Sequence, residues 1–130
     1  MILGREGAAR PVRDFYDLRM TYLMLAQLQL RYGFAHLPAY TEGMRHVREL
    51  FESQGIMLER ATVTKVGPLY ETWNLWRIDD PGHVDRAMAV LAPTFTQEQQ
   101  EAIAAMHAVV ESEQVRILEN VDLPSPSTTP

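Results

Sequence analysis

Leu69-Tyr70-Glu71-Thr72-Trp73-Asn74-Leu75-Trp76-Arg77-Ile78 decides the reading of this chain. It is rich in aromatic and β-favouring residues and alternates with period two, as a strand does. Thr72, Asn74 and Trp76 share one face; Glu71, Trp73, Leu75 and Arg77 share the other. A tryptophan on each face is expected of a strand covered on both sides. Just before it, Met57 to Val66 is a second β-rich run, separated by Gly67-Pro68. Gly then Pro suits a type II′ turn, in which only the first central residue needs positive φ, so the two runs form a hairpin.

Further upstream lies the clearest helix, Leu37 to Gln54. Leu37, Tyr40, Met44, Val47 and Phe51 step by three and four and draw one apolar stripe. Pro38 suits the first turn, and Gly55 suits a left-handed stop. Before the helix, Phe15 to Met24 alternates as a strand. Leu25 to Phe34 is ambiguous: its alternation is strand-like and its Leu and Gln content suits a helix, so an extended strand or added arm is expected.

Downstream of the hairpin, Asp79-Asp80-Pro81 marks a helix start, with Val84, Ala87, Met88 and Leu91 as its buried stripe and Pro93 as its stop. Thr96-Gln97-Glu98-Gln99 is a capping box that opens a third helix running to about Glu113, with Ile103, Met106 and Val110 inward. Val115, Ile117, Glu119 and Val121 alternate as a final strand.

The fold class is therefore α+β, in the order β-α-β-β-α-(α)-β. This is the ferredoxin-like plan, an antiparallel sheet with helices on one face. The other sheet face needs a cover. A second copy of the chain set against it makes a dimeric α/β barrel, so a homodimer is expected. The chain divides into a flexible tail over 1–13, one domain over 14–123 and a low-complexity, disordered tail over 124–130, which contains Pro-Ser-Pro.

Composition narrows the function classes. With 130 residues the chain holds one domain, and 46% apolar against 22% charged residues is a globular balance. No apolar run is long enough to span a bilayer, so no membrane role is expected. Twelve basic against seventeen acidic residues leave a net charge of −5, which argues against nucleic acid as a partner. Cysteine is absent, which excludes disulfides, thiolate metal sites and a thiol nucleophile, and suits a reducing, cytoplasmic setting. The chain has no Gly-x-Ser-x-Gly elbow, phosphate-cradling loop or dinucleotide fingerprint.

Several motifs, in order, resemble the NIPSNAP family of dimeric α/β barrel proteins. Tyr16-Asp17-Leu18-Arg19 is similar to that family's opening strand and Leu37-Pro38-Ala39-Tyr40 to its helix start. Val66-Gly67-Pro68-Leu69 with Asn74-Leu75-Trp76-Arg77-Ile78-Asp79 resembles its hairpin and third strand, and Arg116-Ile117-Leu118 its final strand. The likeness spans about Phe15 to Ser127. Two departures stand out: roughly nine extra residues before the first helix by comparison with short links of this plan, and Asn74 where the family often has His. The resemblance implies an enzyme of the wider barrel group, which includes cofactor-independent monooxygenases, polyketide cyclases and isomerases. It implies cyclisation, isomerisation or cofactor-independent oxygenation of a hydrophobic, aromatic or polyketide-like small molecule in secondary metabolism. The alternative is a non-catalytic ligand-binding or scaffold homodimer.

Candidate site residues follow from placement. Arg19 on a barrel-facing strand position would stabilise an enolate-like charge, with Asp17 orienting it; the plainer reading is an ion pair across the sheet. His36, at the entry to the first helix, is the candidate general base. Asn74 would hydrogen-bond the substrate and Trp76 would form a wall, with Tyr22 and Thr72 as further substrate contacts; core packing is the plainer role of Trp76. The other three histidines, His46, His83 and His107, are expected at the surface, and the glutamates of the C-terminal part, Glu113 among them, on a solvated helix face. No histidine has metal-ligand spacing and none is placed on a barrel-facing strand, so neither metal, haem nor another cofactor is expected.

Overall fold

The computed structural model describes residues 22–124 and 126. The opening motif with Asp17 and Arg19, and most of both expected tails, lie outside these residues. The elements are β1 (Tyr22–Leu30), α1 (His36–Glu52), β2 (Met57–Val63), β3 (Glu71–Ile78), α2 (His83–Leu91), a short 3₁₀ turn (Ala92–Thr94), α3 (Gln97–Ala108) and β4 (Val110–Glu119). The sheet order is β2-β3-β1-β4, and every pair is antiparallel. This is the ferredoxin-like arrangement that the element order predicts.

Three boundaries differ from the sequence reading, each for a local reason, and the open reading of Leu25 to Phe34 is resolved. The ambiguous segment is strand: β1 runs unbroken to Leu30, paired with β3 on one side and β4 on the other. Pairing on both edges overrides the helical preference of its Leu and Gln. The link to α1 is then only Arg31 to Ala35, so most of the residues read as an insertion are strand. In the hairpin, Gly67 has the expected positive φ of 130°, but the strands part at Val63 and Glu71, and the turn is a longer loop. It closes through Thr64 N–H to the Glu71 carbonyl at 2.8 Å. Helix α2 begins at His83 rather than at Pro81, because Asp80 folds back over the turn to accept the Gly82 N–H at 2.8 Å and a fork from Arg86. Helix α3 opens on the predicted capping box, with Thr96 and Gln99 bonded reciprocally, but ends at Ala108 rather than near Glu113. Arg31 stops it there: its backbone N–H meets the Val109 carbonyl at 2.8 Å and its Nε the Ala108 carbonyl at 3.0 Å, tying the helix end to β1.

All helices of the described residues sit on one face of the sheet. Met24, Ala26, Leu28 and Leu30 of β1 and Thr72, Asn74, Trp76 and Ile78 of β3 point into that layer and are buried. Two core clusters form there. One gathers Met24, Ile56, Trp76, Ile78, Ala87 and Leu91; the other gathers Ala26, Leu28, Leu30, Tyr40, Met106 and Val109. Met44 and Val47 of α1 touch both. The opposite sheet face carries Leu23, Leu25, Trp73 and Leu75, half-buried in the single chain.

A candidate ligand cavity between sheet and helices

The two core clusters do not merge, and the sheet register shows why. On the helix side, one row crossing the sheet reads Ala61, Asn74, Ala26, Val115. The next rows carry Trp76, Met24 and Ile117 on one side, and Thr72, Leu28 and Glu113 on the other. Small side chains in the middle row leave a trough between bulkier ones. The helices roof it, and a cavity of about 370 Å³ remains, within the usual range for small-molecule sites.

The walls are mostly apolar. Trp76 and Phe51 meet edge to face, ring centroids 5.2 Å apart, and form an aromatic side. Met24, Met44 and Met106 add adaptable surface. Three polar residues line the space: Asn74, His107 and Glu113. Asn74 is buried in the sheet floor, where its amide donates to the Tyr40 hydroxyl at 2.8 Å. That is its one hydrogen bond among the described residues, so a second N–H and the carbonyl oxygen remain for a ligand. His107 occupies the last turn of α3 and Glu113 faces inward from β4; both are exposed, at the rim.

A bulge brings Val110 to the same side as Glu113. Leu30 pairs with Val110 and Gln29 with Ser112, which leaves Glu111 extra. Val110 and Glu113, three apart, therefore share the helix-side face, and both line the cavity.

The structure thus brings Asn74 and Trp76 to one cavity. Thr72 and Tyr22 do not line it: Thr72 is buried one row along, and Tyr22 packs beside the first core cluster. His36 does not line it either; it is half-buried at the start of α1, near Gly33. His107 and Glu113 take part where the sequence reading set them on solvated helix faces. For Glu113 the signal was present, since it continues the alternation of Val115, Ile117 and Glu119 backwards.

Two of the three surface-assigned histidines are buried. His83 bridges two turns: its Nδ1 accepts the Asp79 N–H at 2.9 Å and its Nε2 meets the Gln54 carbonyl at 2.8 Å. Both ring nitrogens have a backbone partner, and the ring pins the end of α1 to the start of α2. His46 lies in the seam between α1 and α3, its Nε2 3.3 Å from Glu42 and 4.0 Å from Glu98. Both sit on helix faces that are polar by sequence but turned towards neighbouring elements. Among the described residues no group of three His, Asp or Glu side chains is placed to hold a metal ion. No helix there is long and apolar enough to cross a membrane.

Fold and site together define an α+β protein of the ferredoxin-like plan with an apolar chamber between its sheet and its helices. The solved structures that share this plan include a NIPSNAP family protein from Agrobacterium tumefaciens, with a TM-score of 0.62 and 22% identity over 81% of this chain and 93% of that one. A NIPSNAP-like domain protein from Burkholderia xenovorans is similar over 83% and 91%, with a TM-score of 0.55 and 21% identity. A candidate antibiotic biosynthesis monooxygenase from Deinococcus radiodurans is similar over 82% and 98%, with a TM-score of 0.56 and 13% identity. The chain has the NIPSNAP and antibiotic-monooxygenase type of fold, as its motifs implied, and at these identities the likeness is one of fold. No family model matches the sequence, and no curated protein matches it.

Proposed function

We propose that this protein binds a hydrophobic, flat small molecule in the chamber between sheet and helices and converts it there by cyclisation, isomerisation or cofactor-independent oxygenation. The observation that carries this reading is the chamber itself: about 370 Å³, apolar, with one buried amide on its floor and ionisable groups only at its rim among the described residues. Met24, Met44, Met106 and Trp76 surround the space rather than filling it, against the alternative of a plugged, non-catalytic core. Solved proteins of the same fold include candidate monooxygenases, from Lactobacillus acidophilus and Deinococcus radiodurans.

Each proposed reaction passes through an enolate-like anion. Asn74 is suited to hold the developing oxygen charge with its second N–H, since a fixed donor in a dry site is worth far more than in water. Trp76 and Phe51 form the aromatic wall against which the ring system packs. His107 takes the proton removed from carbon and, in an isomerisation, returns it at the new position. The chain acts as a homodimer in a reducing, cytoplasmic setting, a reading supported by the half-buried apolar sheet face and the absence of cysteine.

The test is a screen of aromatic and polyketide-like ketones for binding, by quenching of Trp76, and for turnover. Asn74→Ala should lower kcat by about 10²-fold, the usual loss for one oxyanion donor, and His107→Ala by a similar factor. Wild-type turnover that both variants retain would remove these roles, and no binding across the screen would remove the ligand reading.

A further inference from the structure

The rim of the chamber carries a selectivity that the apolar walls cannot. Among the described lining residues there is no arginine and no lysine. The one acid is Glu113, whose carboxylate makes no hydrogen bond or ion pair with any described residue, although it stands on a strand face with Val110, Val115 and Ile117. His107, also without a side-chain partner among the described residues, is the second polar group there. The chain as a whole is acidic, at −5. An anionic ligand entering this chamber would lose its hydration and meet an unneutralised carboxylate, and both effects oppose it. A ligand whose rim end donates a hydrogen bond meets there an acceptor with no described partner of its own.

We propose that the chamber selects hydrophobic molecules whose outer end carries a hydrogen-bond donor, an ammonium or a hydroxyl, and excludes carboxylates of the same shape, with Glu113 as the specificity-determining residue. This rests on the ligand-binding reading above and adds the charge class to it.

A matched trio tests it: naphthylmethylamine, naphthylmethanol and naphthoate differ at one group and share a ring that fits beside Trp76. Titrations on the wild-type chain should rank amine and alcohol at least about tenfold above naphthoate, a gap of the size that one nearby charge produces. Glu113→Gln, nearly isosteric and exposed, should bring naphthoate to within about threefold of the alcohol and remove most of the amine's advantage. Added salt should narrow the amine–carboxylate gap in the wild type. Equal affinity for all three in the wild type, or a gap that Glu113→Gln leaves intact, would overturn the assignment while leaving the pocket reading standing. Binding of none would overturn both.

Discussion

Gly43 stands where α1 and α3 come closest. A Cβ there would lie 2.3 Å from the Met106 Cβ, so only glycine permits the approach. Gly43→Ala must push the helices apart or twist Met106 off its rotamer. An overpacked core of this kind costs about 1–3 kcal/mol, read as a lower urea midpoint with an unchanged slope. A second residue-scale prediction concerns Asp80. Its carboxyl is held below the usual range by the Arg86 fork and then by the Gly82 N–H. A carboxylate more acidic in the folded than in the unfolded chain stabilises above its unfolded value and loses that contribution as pH falls through the folded one. Asp80→Asn should therefore be less stable than wild type at neutral pH, and the two unfolding curves should converge through the carboxylate range in acid. A gap that persists unchanged into acid would assign the effect to something other than the ion pair.

The chamber is a product of element-scale register. Ala26 on β1 faces Asn74 on β3 and Val115 on β4, and neither neighbouring row has a residue as small on β1. Ala26→Leu should fill the trough. Binding of a chamber ligand should fall by more than about tenfold while thermal stability holds or rises, because the added methyl groups enter space already open. A loss of stability with binding retained would mean that the trough closes in solution. Much of this layer is legible in the sequence: the stripe of α1, the Thr96–Gln99 box and the two faces of β3 follow from periodicity and capping chemistry. The end of α3 is not, because Val109, Val110 and Glu113 satisfy a helical pattern as well as a strand one. Arg31, far away in sequence, decides between them by occupying the last carbonyls of the helix.

At the scale of the whole molecule, the open sheet face remains. Leu23, Leu25, Trp73 and Leu75 lie there, beside a polar network in which Glu71 accepts from Gln27 at 2.6 Å and from Trp73 at 3.0 Å. The Arg77–Glu59 ion pair, at the bulge of β2, flanks them. A two-fold pairing through this face would bury the leucines and leave the charges at the margin, as stable homodimers do. Light scattering should give twice the chain mass for the wild type and a single chain mass for Leu75→Glu, which sets a carboxylate against its symmetry mate. A wild-type monomer would end the dimer reading. The element order and the place of Asn74 and Trp76 on one face were written in local periodicity, since alternation and capping act over a few residues; which face turns to the helices was not. The chamber, the burial of His46 and His83, and the entry of His107 into the lining came only with the tertiary structure. They depend on which rows of distant strands align and on which helix flank meets a neighbour, and no spacing along the chain encodes either.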